Sequence, residues 1–158
     1  MGGVNLDQAA CSGVFDRTLQ DSGAIIVGAG QQPSSGVDRQ REEFSSFGSR
    51  IDLQGWGSGV VTTGYGDLYL ASDRPADPDF WYTGEFNGTS SAAAIVAGAV
   101  ANLQSIALAQ SGVPLLPLQT RTLLVQTGSS QLGNIAEPIG PRPNLLKAAT
   151  QIPCAPPR

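Results

Sequence analysis

The chain has 158 residues, 41% hydrophobic and 14% charged, with a formal net charge of −4 and a sequence pI of about 4.6. That is enough for one domain with a real core, and the composition excludes a disordered segment. No cluster of Lys and Arg offers a phosphate-binding footprint, which argues against nucleic acid as a partner.

In chain order, residues 1–21 read as loop, with Gly, Asn, Asp and Ser spread through them. Met1-Gly2-Gly3 lacks the basic-then-apolar pattern of a signal peptide, and none is expected within the chain. Residues 23–29 are a continuous apolar run bounded by glycine, the pattern of a short strand covered on both faces. Residues 31–43 are polar, with a turn at Pro33-Ser34-Ser35-Gly36. Residues 44–49 form a loop with two aromatic anchors, Phe44 and Phe47. Ile51-Asp52-Leu53 reads as a brief strand, and the glycine-rich residues 55–59 as irregular chain. Residues 65–82 carry Asp67, Asp73, Asp77 and Asp79 among aromatics and prolines. They read as a surface excursion of hairpin type. A calcium loop is the functional alternative, but the spacing matches no ligand loop and Asp is common in turns.

Residues 89–108 are the clearest helix. Apolar residues occupy every face of its first half, which predicts burial all round. The longest purely apolar run, 92–101, is too short to span a bilayer. Residues 117–126 form a second, amphipathic helix, with Pro117 in its first turn and Gly128 as its cap. Residues 144–149 form a third, with Asn144 as N-cap. The expected organisation is one domain over 1–150 and a loose, proline-rich tail over 151–158. Cys11 and Cys154 lack the spacing of a zinc site; a disulfide between them and two separate thiols both stay open.

The chemistry concentrates at Asn87-Gly88-Thr89-Ser90-Ser91-Ala92-Ala93, where a hydroxyl dipeptide meets the start of the first helix. A serine nucleophile needs an exposed oxygen, a base, and donors for the developing oxyanion. A helix N-terminus supplies free N–H groups and a positive dipole end. The base is the difficulty, because the chain contains no histidine. On this motif alone, a core helix with a Thr/Ser cap is an equal reading.

The segment from Gly88 to Ala99 resembles the nucleophile motif of the subtilisin-like serine proteases, G-T-S-x-A-x-P-x-V-x-G, with Ala94 where that family has proline. Further matches follow in family order. The strand at Ala24-Ile25-Ile26-Val27-Gly28-Ala29, the F-S-x-x-G loop at Phe44-Ser45-Ser46-Phe47-Gly48, the D-V-x-A-P-G-like segment at Ile51-Asp52-Leu53, and the two closing helices all look like their family counterparts. The segment after Leu53 lacks the family's proline. The resemblance covers residues 23–149.

It implies an α/β fold, the subtilisin-like three-layer architecture with a parallel central sheet, of which only the C-terminal half is present. It implies peptide-bond hydrolysis through an acyl-enzyme on Ser90, with Asn87, Gly88 and Thr89 lining the substrate cleft and oxyanion region; Ser91 falls on the family's variable position and reads as a bystander. The triad order Asp, His, Ser places both earlier members ahead of this segment. The chain alone is therefore expected to be inactive and to depend on the N-terminal half of the domain as a partner, beside its polypeptide substrate. The family's oxyanion asparagine has no aligned counterpart; Met1 adjoins its place, and Asn5 has the wrong offset. No metal ligands are readable, although calcium occurs in many relatives, and an extracellular location follows from the family alone. Two alternatives stand: a sedolisin-type fragment using Glu and Asp with Ser, Glu85 being the nearest carboxylate, and a non-catalytic module binding an extended peptide.

Overall fold

The computed structural model describes residues 2–8, 10–11, 13–34, 36–70 and 72–154. Two short strands, β1 (Val27–Gly30) and β2 (Leu53–Trp56), pair in parallel from Val27↔Leu53 to Gly30↔Trp56. Side chains on a strand alternate faces, and here the two faces meet different partners. Val27 and Leu53 join the main core with Val96, Leu103, Ala107 and Leu124. Gly28 instead lies against Ile139, and Gln54 donates through Nε2 to the Gly140 carbonyl (2.7 Å).

The helix α1 (Thr89–Ser111) packs across β1 and β2; of the two later helices, α2 (Pro117–Thr127) and α3 (Leu145–Ala149), which pack on each other, α3 meets α1. Ile152, at the start of the predicted tail, is buried in the same core; residues 155–158 lie outside the described residues. A second cluster, Leu6, Ile51 and Ile139, takes in Phe47, the inner of the two aromatic anchors. The outer one, Phe44, is exposed.

Three expectations need correction. The strands start two to four residues later than the apolar runs suggest, and Gly55 and Trp56 belong to β2 rather than to irregular chain. Parallel pairing carries through Gly55 because the backbone of Ala92 presses on it, leaving no room for a Cβ. The first half of α1 is not buried all round. Ala92 and Val96 face the sheet, whereas Ala93, Ala94, Ile95, Ala97 and Gly98 are exposed. Two strands cover one flank of a helix, and no described element covers the other. By length and composition α1 could also cross a membrane; here it packs on β1, β2 and α3, with 22% of its most apolar window buried. Gly128 does follow α2, but with φ −63 rather than in a left-handed cap. Its place is set by the close approach of Pro141 and the Leu124 and Arg142 carbonyls. Asn144 caps α3 as expected, accepting from the Lys147 N–H at 3.0 Å.

A separate antiparallel hairpin, β3 (Val60–Thr63) and β4 (Tyr82–Phe86), carries the excursion at its tip. Its acidic residues have local duties. Asp67 accepts from the Gly84 N–H, Asp77 caps the short 3₁₀ turn Pro78–Phe80, and Asp73 pairs with Arg74. Among the described residues no three His, Cys, Asp or Glu side chains converge. Cys11 and Cys154 are both free thiols.

One buried carboxylate ties the N-terminal loop to the sheet and to α2. Asp52 accepts from the Ile26 N–H and from Arg50 (both 2.8 Å), pairs with Arg17, and lies 3.8 Å from Arg121. Arg121 also pairs with Asp21, and its guanidinium holds the Asp21 carboxyl well below the usual carboxylate range.

Candidate active site

The site is built where β2 ends and α1 begins. Beyond Trp56, residues 57–59 turn under the start of the helix. The Gly57 N–H donates to the Gly30 carbonyl (2.9 Å), and the Ser58 hydroxyl bonds the Glu42 carboxylate. The Gly59 N–H donates to Asn87 Oδ1 (3.0 Å), and the Gly88 N–H donates to the Gly57 carbonyl (2.8 Å). Asn87 and Gly88 therefore clamp the turn that bears Ser90 onto the end of the strand.

Gly88 is the N-cap of α1, with φ 131 and ψ 162. Only glycine adopts that conformation cheaply, and an added Cβ would stand 3.1 Å from Ser90 Oγ. The motif's glycine is thus a geometric requirement of the turn. Thr89 and Ser90 follow in the first helical turn, both exposed. Ser90 Oγ has no hydrogen-bond partner among the described residues, so nothing within reach takes its proton. Glu85 is exposed on β4, where its N–H donates to Thr83 Oγ1, and its carboxylate does not meet Ser90.

Ser91 is the residue sequence reasoning undervalued. It is buried, and its hydroxyl lies 2.9 Å from the Trp56 carbonyl and 2.7 Å from the Gly88 carbonyl. A local signal existed for the nearer contact alone: a hydroxyl in a helix's first turn has the carbonyl three residues back within reach. Asn5 is engaged elsewhere, bridging Phe47 and accepting from the Asp7 N–H (2.9 Å). Met1 lies outside the described residues.

Beside Ser90 runs an open, mainly apolar trough of about 500 Å³, walled by Val60, Val61 and Phe86 of the hairpin and by Ala94 and Ile95 of α1. A second recess, of about 370 Å³ between Phe15, Arg17 and Arg50, belongs to the Asp52 charge cluster and lies apart from Ser90.

The family model of the subtilases, peptidase S8, matches residues 5–141, and the chain belongs to that family. No curated protein sequence matches it. Among solved structures it is similar to the patellamide maturation protease PatA (22% identity, TM-score 0.61, 83% of this chain and 43% of that one). It is also similar to the prenylagaramide maturation protease PagA (19%, 0.56, 82% and 42%). A third is the A-subunit of the AB5 toxin from E. coli (19%, 0.61, 96% and 48%). At these identities the likeness is one of fold. The chain spans less than half the length of each.

Proposed function

We propose that this chain carries the nucleophile half of a subtilisin-type serine endopeptidase. The observation that carries the reading is the clamped, exposed Ser90 at the head of α1. Its oxygen attacks the scissile carbonyl carbon, and the first-turn N–H groups of α1 bring the positive end of the helix dipole to the resulting oxyanion. The amine leaves with the proton taken from Ser90, and water then releases the acyl group from the ester. The proton carrier is a histidine, oriented by an aspartate, from the other half of the domain. That half is supplied in the same polypeptide or by a second one. An oxyanion donor of this kind is worth about 10²–10³ in rate. These 158 residues alone are inactive on this reading, and the family's secreted setting is part of the proposal.

The test is labelling by a serine-directed fluorophosphonate, on the chain alone and joined to a subtilase N-terminal half. Labelling that needs the added half and vanishes in Ser90→Ala is expected. A joined protein that stays unlabelled yet binds extended peptides would favour the second reading, a non-catalytic peptide module. The observation behind that reading is the two-stranded hairpin sheet, whose open edges can accept a third strand. A sedolisin arrangement would likewise draw its Glu and Asp from the other half, and an acid activity optimum of the joined protein would favour it.

A further inference from the structure

We propose that Ser91 is a positioning residue for Ser90, an inference that rests on Ser90 being the nucleophile. Two contacts define how the head of α1 sits on the sheet. At Gly55 the strand backbone approaches α1 so closely that a Cβ would stand 2.5 Å from the Ala92 carbonyl oxygen, which sets the distance. One residue earlier on the helix, the buried Ser91 hydroxyl reaches the Trp56 carbonyl at 2.9 Å, a link across 35 residues of sequence. Two successive helical residues pinned to two successive strand residues fix the roll of the helix about its axis. Successive residues are about 100° apart around a helix. Pinning Ser91 and Ala92 to the sheet therefore places Ser90 on the rim, facing the trough. The same hydroxyl lies 2.7 Å from the Gly88 carbonyl, so its one proton is shared between the strand and the helix cap. With alanine at 91 the distance contact and the core packing of α1 survive, and the hydrogen bond that sets the roll of its first turn is lost.

A thiol at position 90 reads this without any need for catalysis. Ser90→Cys is made with Cys11→Ser and Cys154→Ser, so that position 90 holds the one thiol. Ser105→Cys, exposed in mid-helix, is the control. The probe is iodoacetamide, and the readout is alkylation rate against pH. A thiol fixed at a helix N-terminus is more thiolate-rich than an ordinary one, so position 90 should react about 10-fold faster than 105 at pH 7. Adding Ser91→Ala should cut that advantage about 3-fold and move the pH–rate profile toward that of 105, while Ser91→Thr restores it. Far-UV circular dichroism and thermal midpoints check folding. If Ser91→Ala does not fold, Ser91→Val against Ser91→Thr asks the same question of the hydroxyl. A fast thiol at 90 that ignores the loss of the hydroxyl overturns the positioning role and leaves the nucleophile reading standing. A thiol at 90 that matches 105 in the parent overturns both.

Discussion

Replacing Gly55 by alanine puts the contact between β2 and α1 to a quantitative test. The new Cβ would stand 2.5 Å from the Ala92 carbonyl oxygen, 2.8 Å from its Cα and 3.0 Å from its carbonyl carbon, where ordinary contact begins at 3.4 Å. Strand and helix must part by roughly 0.9 Å at the oxygen, and all the obstructing atoms are backbone. Neither side yields freely. The strand is held by its register with β1 and by Gln54 on Gly140; the helix is held by Gly88 on Gly57 and Ser91 on Trp56. Overpacking of this kind costs about 1–3 kcal/mol, and rigid backbone on both sides argues for the upper end. Stretching the Gly88–Gly57 bond adds up to about 1 kcal/mol. The smaller conformational freedom of unfolded alanine offsets about 0.4–1 kcal/mol. The net loss should be about 2–3 kcal/mol. Urea unfolding followed by far-UV circular dichroism measures it. A Gly55→Ala variant within about 0.5 kcal/mol of the parent would refute this account of how α1 is seated.

Gly98→Ala should do the reverse. No described atom comes within 4 Å of a Cβ there, so helix propensity alone predicts about 0.5–1 kcal/mol of stabilisation in the same assay. If the missing half of the domain packs on that flank, the same variant should weaken its association, measured by titration calorimetry. Leu103→Ala empties a fully buried site in the main core and should cost about 2–5 kcal/mol by urea unfolding. Asp21→Asn tests the ion pair with Arg121. The folded carboxyl titrates below the unfolded one, so its stabilisation is complete above the unfolded carboxylate range near pH 4 and fades as pH falls toward the folded value. The gap in thermal midpoint between parent and variant should therefore narrow in acid, and a gap that is constant from pH 7 to pH 3 would contradict the pairing.

The helices were legible because their signals are local. Pro117, Asn144 and the alanine-rich run after Gly88 each act within a turn or two of their own position. Strand boundaries were less so, since which residues of an apolar run pair is decided by a partner far away. Asp52 had looked like strand, yet it is drawn out of the ladder to bond the Ile26 N–H and gather three arginines. The reach of β2 through Gly55 was hidden for the same reason, because the cause is the backbone of Ala92. At the site, the family motif pointed to Ser90 and its neighbours, but the work of Ser91 depends on a carbonyl 35 residues away that no local pattern announces. Burial of α1 was overread because an all-apolar helix can be covered only by whatever chain is there to cover it.

The clamp at residues 56–59 also orders events in time. The turn bearing Ser90 leans on a carbonyl of Gly57, whose own N–H is fixed to Gly30, and that bond belongs to a parallel pair closed by a long crossover without a helix. Pairings of this sort form slowly, because chain entropy is lost before any contact repays it. The turn bearing Ser90 can take its final shape only after that slow step. A nascent or half-folded copy of this chain therefore presents Ser90 as an ordinary flexible hydroxyl, and maturity of the sheet is what turns it into a candidate nucleophile.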